Sequence, residues 1–319
     1  MGVSFVRWLA CSEAMNREYL ETARLLIQVA PLVFVDDQFG LKGGTAINLF
    51  LRDMPRLSVD LDLVFTDHAV GRKEAIARIN AAVRDAADRL RARRFEVYVP
   101  AAGGDGETKL MVRSGAAEVK VEINTVMRGT VHRVRRANLT PLARDTLLAD
   151  IEIPVLASED VYGSKIVAAL DRQHPRDLFD VMELFKHEGI TPGIRRAFVV
   201  YLASHNRPVH EVLFPELRDI QMDYERNFIG MTSQPTTLAE LLETRDRMIN
   251  ELHAGLDADE RRFLLSLIRA QPEWELLGIP HVSELPAVRW KVQNLARLQR
   301  ERAEQFELQY TALAGRLHR

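Results

Sequence analysis

Apolar and polar positions in the first half of the chain follow two different periods. Apolar residues recur at helical spacing over residues 12–30, 45–53 and 72–94. Strict alternation, which predicts strands, occurs over residues 57–65, 95–100, 108–114 and 117–126. We expect Thr45 to be the N-cap of the short second helix and the Gly103–Gly106 cluster to form a hairpin turn.

From about residue 156 the pattern becomes almost wholly helical. The stretches SEDVYGSKIVAALDRQ and PRDLFDVMELFKHEG predict a helix pair, with Pro175 in a first turn and Gly189 as a stop. Further helices are predicted near residues 194–204, 236–254, 258–270 and 284–317. The sequence therefore predicts an α+β fold, with an α/β domain containing a mixed sheet over residues 1–155 and a helical domain over residues 156–319.

The strand LSVDLDLVF carries two carboxylates. Because side chains alternate along a strand, Asp60 and Asp62 share one face, opposite Leu61 and Leu63. Two close carboxylates repel each other, and a divalent cation such as Mg²⁺ relieves that repulsion. The alternative is an exposed strand face that carries charges without a ligand.

A glycine pair precedes this strand. Gly43 and Gly44, directly before a predicted helix, allow a sharp turn whose free N–H groups suit a phosphate, and Thr45 adds a hydroxyl donor. A glycine turn alone is weak evidence, since loops often enter helices through glycine. Together with the two aspartates it suggests a phosphate held against a metal ion.

A third carboxylate lies in the strand AEVKVEINTV. Lys120, Glu122 and Asn124 face one side of it, and if this strand lies beside residues 57–65, Glu122 joins the two aspartates. Three acids on neighbouring strands can bind two metal ions for in-line transfer, with Glu122 as a metal ligand or general base. Glu118 takes that place only if the register slips.

These motifs resemble a known family. A G-G-T turn, a D-x-D strand and a third acid two strands later are similar to the polymerase-beta-like nucleotidyltransferase superfamily. The string LKGGTAINLFLRDMPRLSVDLDLVF resembles the AbiEii/AbiGii toxin family, which includes the MenT toxins. That family is further marked by a lysine and an RD-hydrophobic-x-D helix, which match Lys165 and the segment 176–180 here. The resemblance covers roughly residues 40–185.

The resemblance implies an enzyme that uses a nucleoside triphosphate with Mg²⁺ or Mn²⁺. It implies that Lys165 contacts the triphosphate as a point charge and that Asp177 positions Lys165 or the nucleotide. Asp177 and Asp180 lie three residues apart on a predicted helix and share a face. The implied catalytic residues are Asp60, Asp62, Glu122, Lys165 and Asp177, the first three as metal ligands. The implied nucleotide-binding residues are Gly43, Gly44, Thr45, Lys165 and Asp180. The plainer alternatives are a solvated Lys165 and a surface ion pair between Arg176 and Asp180.

Ser58 lies on the strand face of the two aspartates. It is a strand-edge hydroxyl or, as a sharper hypothesis, a regulatory phosphosite, because a phosphate there adds negative charge beside the metal site.

Basic residues cluster over residues 89–94, 128–136 and 289–304, and each cluster is typical of a solvated surface. The alternative for the middle cluster, which directly follows the strand with Glu122, is that it lines the active-site cleft and holds an RNA backbone. The resemblance implies a toxin that adds nucleotides to tRNA 3′ ends, blocks translation and has a cognate antitoxin. Two alternatives stay open: transfer to a small molecule or a protein hydroxyl, and a nucleotide-binding module without activity.

Composition places few limits on these hypotheses. A net charge of −2 over 319 residues argues against a bulk nucleic-acid coat but not against a local basic surface. The single cysteine excludes an intramolecular disulfide framework and fits a reducing compartment. No apolar run approaches a membrane span, and the first twenty residues contain no signal-type apolar core. We therefore expect a cytoplasmic protein without a membrane partner.

Overall fold

The computed structural model describes residues 17–100 and 107–317. These residues fall into two compact units: the first contains the chain up to Ala157 together with Glu225–Thr236, and the second contains Ser158–Tyr224 and the chain from Thr237 onward. The predicted boundary at residue 155 omits the return of Glu225–Thr236 to the first unit. There Met231 O accepts a hydrogen bond from Leu57 N at 3.1 Å.

In the part of the chain that the structure describes, the first unit contains a seven-stranded sheet and several helices. Its strands are β1 (Phe39–Lys42), β2 (Asp60–Phe65), β3 (Glu96–Tyr98), β4 (Glu107–Ser114), β5 (Ala117–Asn124), β6 (Arg135–Asn138) and β7 (Glu152–Val155). Its helices are α1 (Arg17–Val33), α2 (Gly43–Ala46), which continues into a π-helical turn (Ile47–Leu51), α3 (Arg72–Ala92) and α4 (Pro141–Leu147).

The strand order in the sheet is β3-β4-β5-β2-β1-β7-β6. Strand β2 runs parallel to β5 and antiparallel to β1, and β1 runs parallel to β7, so the sheet is mixed. On one face of the central strands the aliphatic side chains, such as Leu61, Leu63 and Val121, are fully buried. Their burial against the helices supplies the apolar driving force for this unit and fixes which face of each strand stays open. The predicted α+β class with a mixed sheet is confirmed.

The second unit is helical. Its helices are α5 (Ser158–Arg172), α6 (Pro175–His187), α7 (Pro192–Ala203), α8 (Val209–Leu213), α10 (Leu238–Gly255), α11 (Ala258–Ile268), α12 (Pro286–Glu301) and α13 (Ala303–Leu317), while α9 (Gln221–Asn227) begins in this unit and ends in the first. Gly163 lets α5 approach α7 closely, since a Cβ at this position would lie 2.7 Å from Phe198 N. No helix in the described ranges is long and apolar enough to cross a membrane.

Several predicted elements need correction. The helix expected over residues 45–53 begins at Gly43, with Lys42 as its N-cap, so the prediction that Thr45 is the N-cap is wrong. The helix predicted over residues 284–317 is two helices, because Arg302 leaves the helical conformation between α12 and α13. Strands β1, β6 and β7 were not predicted, since four-residue strands carry too little alternation to be recognised. The turn expected at Gly103–Gly106 lies outside the described residues.

Candidate active site

The open face of the sheet holds the two predicted aspartates. Asp60 and Asp62 are half-buried on β2, while Leu61 and Leu63 between and after them are fully buried on the other face. The Cα atoms of the two aspartates are about 6.6 Å apart, because the residues lie two positions apart along a strand. The predicted sharing of one strand face is confirmed.

Glu122 lies directly beside this pair. Strand β5 runs parallel to β2 with Asp62 opposite Glu122 and Asp60 opposite Lys120. Neighbouring strands are about 4.8 Å apart, so three carboxylates share one small area of the open face. The expected adjacency of these strands is confirmed, and Glu118 is not needed as a substitute.

Two lysines already bind Glu122. Glu122 Oε1 lies 2.9 Å from Lys109 Nζ and 3.0 Å from Lys120 Nζ. Burial raises the pKa of Glu122, but hydrogen bonds and charge from the two lysines outweigh it, so the pKa is lowered overall. Glu122 is therefore ionised and charge-compensated without a metal. Sequence reasoning did not assign a role to either lysine, although the alternation in β5 placed Lys120 on the face of Glu122.

The carboxylates of the open face meet the needs of a divalent cation in part. Within the described part of the chain, no group of three or more Asp, Glu, His or Cys side chains is placed to hold a metal ion. Asp60 and Asp62 supply the hard oxygen ligands that Mg²⁺ and Mn²⁺ prefer. Glu122 fits as a third ligand only if it exchanges its lysines for the metal, so that role stays a prediction.

The Gly43-Gly44 turn lies directly against the side chain of Asp62. Gly43 has φ +75°, a conformation that favours glycine, and a Cβ there would collide with the Asp62 carboxylate. At Gly44 a Cβ would lie 2.6 Å from Arg56 Nη2 and 2.7 Å from Ser58 Oγ. Both positions thus lack room for a side chain, because carboxylate, guanidinium and hydroxyl groups lie against the turn.

Thr45 connects the turn to β2. Its buried Oγ1 donates to Asp60 O at 2.5 Å and lies 3.1 Å from Ser58 Oγ. This hydroxyl fixes the start of the strand that carries the aspartates. The predicted contact between Thr45 and a nucleotide therefore requires the backbone N–H or a change of hydroxyl partner.

Asn48 and Arg56 also support the turn and were missed from the sequence. Asn48 Nδ2 donates to Gly44 O at 2.8 Å, and Asn48 Oδ1 accepts from Arg56 N at 3.2 Å. Arg56 is only 3% exposed, and its Nη1 donates to Leu57 O at 2.9 Å. A buried arginine beside a glycine turn leaves no distinctive pattern in a single sequence, because it depends on distant segments such as the one that pairs Thr232 with Arg56.

In the second unit, Lys165 is buried between two carboxylates. Lys165 Nζ lies 2.8 Å from Asp177 Oδ1 and 3.0 Å from Asp180 Oδ2, and Lys165 is 7% exposed. Arg172 Nη2 contacts Asp177 Oδ2 at 2.8 Å, which adds a second cation. The solvated Lys165 considered as an alternative is thus wrong, and so is an exposed pair of Arg176 with Asp180, since Asp180 is fully buried. The expected contact of Asp177 with Lys165 is present.

Comparison with known proteins adds a family and a fold. A family model described as nucleotidyl transferase AbiEii toxin, type IV toxin–antitoxin system, matches residues 24–294. The structure is similar to that of MenT4, a nucleotidyltransferase toxin from Mycobacterium tuberculosis H37Rv, with a TM-score of 0.58 and 22% sequence identity over 92% of this chain and 98% of that chain. At this identity the structural likeness shows the fold alone. No curated protein sequence matches the chain.

The lysine pair around Glu122 can be tested by titration. We expect the combined substitution Lys109→Met and Lys120→Met to raise the pKa of Glu122, because burial then acts without the opposing cations. The measurement is a carboxyl ¹³C NMR titration of the glutamates, with Lys73→Met on the exposed surface of α3 as the control. An unchanged pKa of Glu122 in the double variant would contradict this account. Because the folded pKa is lowered, the pairs stabilise the fold above about pH 4.5, and this contribution is lost as the pH falls through the folded pKa.

The buried lysine can be tested by unfolding. Lys165→Met removes the buried cation that contacts both Asp177 and Asp180 and leaves Arg172 on Asp177 only, so we expect the free energy of unfolding to fall by about 3–5 kcal/mol. Lys73→Met at the exposed start of α3 should change it by less than about 0.5 kcal/mol, because Lys73 lies on the surface. Urea denaturation measures both. An equal loss of the free energy of unfolding in the two variants would show that the buried ion pairs of Lys165 do not stabilise the fold.

Proposed function

Because the chain belongs to the AbiEii nucleotidyltransferase toxin family of type IV toxin–antitoxin systems, we propose that it transfers a nucleoside monophosphate from a nucleoside triphosphate to an RNA acceptor. The observation that carries this proposal is the open sheet face that holds Asp60 and Asp62, with the Asp62 carboxylate against Gly43 of the glycine turn. The acceptor is a tRNA 3′ end, and its modification blocks translation until a cognate antitoxin acts. We propose a cytoplasmic location for the protein, because its proposed nucleotide and tRNA substrates are found there.

Asp60 and Asp62 would hold a divalent cation, Mg²⁺ or Mn²⁺. When bound, such an ion neutralises charge on the triphosphate. The acceptor hydroxyl oxygen forms a bond to the α-phosphorus as the bond to the pyrophosphate oxygen breaks, pyrophosphate leaves, and the hydroxyl proton passes to solvent water. Thr45 connects the turn to β2 through its hydrogen bond to Asp60 O, and Asn48 holds the turn itself through its hydrogen bond to Gly44 O.

Glu122 is better suited to charge balance than to proton transfer. Its lowered pKa makes it a weak base at neutral pH, which reduces its value as a general base. A second metal ion requires Glu122 to leave Lys109 and Lys120, and the released lysines would then be available to phosphate oxygens. We propose Glu122 as this exchangeable ligand.

The second unit is proposed to contribute nucleotide and acceptor contacts, while the first is proposed as the catalytic unit. The contact of Lys165 with the triphosphate, with Asp177 and Asp180 as supporting residues, stays a prediction. The support for it is the position of Lys165 beside Asp177 and Asp180, which holds the ammonium group in one orientation.

Transfer itself is the first test. Purified protein is incubated with total deacylated tRNA, Mg²⁺ and each α-labelled nucleoside triphosphate in turn. We expect label in tRNA with at least one nucleotide and a loss of at least about 100-fold in Asp60→Asn, because a charge that neutralises the transition state is removed. Asp88→Asn, on the exposed surface of α3, should act like the wild type.

Other results of this assay point elsewhere. Unlabelled tRNA together with label in a small molecule or a protein would move the acceptor to that class. Metal-dependent nucleotide binding without any turnover would favour an inactive binding module.

Ser58 is proposed as a regulatory phosphosite. Its Oγ lies beside Gly44 and Thr45, so a negative charge at this position would oppose Asp60 and Asp62. We expect Ser58→Asp to lower transfer strongly while Ser58→Ala keeps most of it, and Ser114→Asp at the exposed end of β4 should have no effect. Full activity in Ser58→Asp would rule out regulation by charge at this site.

A further inference from the structure

Helix α12 carries arginines around an exposed tryptophan. Trp290 is 56% exposed, and the exposed residues Arg289, Arg297 and Arg300 lie on the same side of the helix. The opposite side of α12 is buried through residues that include Val288 and Leu295. This face therefore has a fixed orientation within the second unit.

Lys291 belongs to the anchored side of α12. It is buried, and its Nζ donates to His205 O at 2.9 Å and Arg207 O at 2.6 Å. The basic segment over residues 289–304 thus divides into one structural cation and a separate exposed face. We call this exposed face the α12 surface and define it by Arg289, Trp290, Gln293, Asn294, Arg297 and Arg300.

The other two basic segments have only part of their cations engaged. In residues 89–94, Arg89 Nε donates to Leu32 O at 2.9 Å and Arg91 pairs with Asp88 at 3.1 Å, while Arg93 and Arg94 are exposed. No exposed tryptophan lies within this segment.

In residues 128–136, Arg128 is buried, and Arg136 pairs with Asp37 at 3.0 Å and Glu152 at 3.2 Å, while Arg133 and Arg135 are exposed. On the α12 surface, no carboxylate among the described residues pairs with Arg289 or Arg300, and the α12 surface differs from the other two segments because its arginines flank the exposed Trp290. Arg297 has only a 3.4 Å contact with Glu301. The α12 surface therefore has an excess of positive charge that the fold itself does not use.

The chemistry of the α12 surface favours RNA over protein. An exposed aromatic ring flanked by arginines suits unpaired bases, which stack on the ring while the guanidinium groups contact phosphates. The exposed residues of α12 nearest to Trp290 on this surface, such as Gln293 and Asn294, are polar, and the unpaired arginines beside them complement a phosphate backbone. Arg289 and Arg300 are about 16 Å apart along the helix, which spaces them for different phosphates.

We propose that the α12 surface binds the acceptor RNA through a segment with unpaired bases. Trp290 stacks on a base, and Arg289, Arg297 and Arg300 neutralise the surrounding phosphates. This inference rests on the proposed function, since it names the surface that takes the RNA acceptor.

The test measures binding of the full chain to total deacylated tRNA without nucleotide, by filter binding at several salt concentrations. We expect Trp290→Ala to weaken binding about 5- to 100-fold and Trp290→Phe to retain most of it. The pair Arg289→Gln and Arg300→Gln should reduce the slope of log K against log salt by about 1.4. The matched control is Arg247→Gln with Arg262→Gln, two exposed arginines of the same unit that are paired with glutamates.

A blunt RNA duplex separates base stacking from phosphate contacts. It should bind the wild type more weakly than tRNA, and its binding should not depend on Trp290. Thermal unfolding of each variant checks that these surface substitutions leave the fold intact.

The outcomes separate this inference from the proposed reaction. Wild-type levels of tRNA binding in the Trp290 and arginine variants would overturn the inference and assign the surface to a protein partner. Failure of the wild type to bind any RNA would overturn it as well. If tRNA binds through the α12 surface but receives no nucleotide, the inference stands and the proposed transfer to tRNA fails.

Discussion

The parallel register of β2 with β5 is the constraint on which the candidate active site depends. It places Asp62 opposite Glu122 and Asp60 opposite Lys120 on the open face, while Leu61 and Val121 are buried on the other. A slip of one residue would turn the carboxylates into the core and the aliphatic side chains outward. Burial of the aliphatic face therefore fixes the position of the carboxylates on the opposite face. The carboxylates do not need to contribute to the stability of the fold to hold this position.

Charge balance differs between the two acidic clusters. In the second unit, Asp177 and Asp180 are buried with Lys165, which makes this cluster costly to break. On the sheet, Glu122 is bound by Lys109 and Lys120, and the aspartates of β2 lie half-buried beside the glycine turn. The half-buried cluster is the one where an added cation would relieve repulsion, and this is why we place the metal there.

The sequence predicted those features of the structure that follow from the periodicity of a single helix or strand. Alternation placed Asp60 and Asp62 on one face of β2, and helical spacing placed Asp177 and Asp180 on one face of α6. The pairing of β5 with β2 could only be assumed, because the two strands are not consecutive and their adjacency depends on the whole sheet. The supporting roles of Asn48, Arg56 and Lys109 were not predicted, since each depends on contacts between distant segments. The N-cap assigned to Thr45 was wrong because the helix already begins at Gly43, where a φ of +75° suits glycine.

The central claim is that the aspartates of β2 hold the divalent cation that accompanies the nucleotide. Electron paramagnetic resonance of Mn²⁺ measures this directly, with nucleoside triphosphate present and the wild type beside Asp60→Asn, Asp62→Asn and the surface control Asp88→Asn. We predict that both β2 variants lose nucleotide-dependent Mn²⁺ binding and that the control keeps it. Wild-type Mn²⁺ binding in the Asp60 and Asp62 variants would contradict the account and move the metal away from this sheet face.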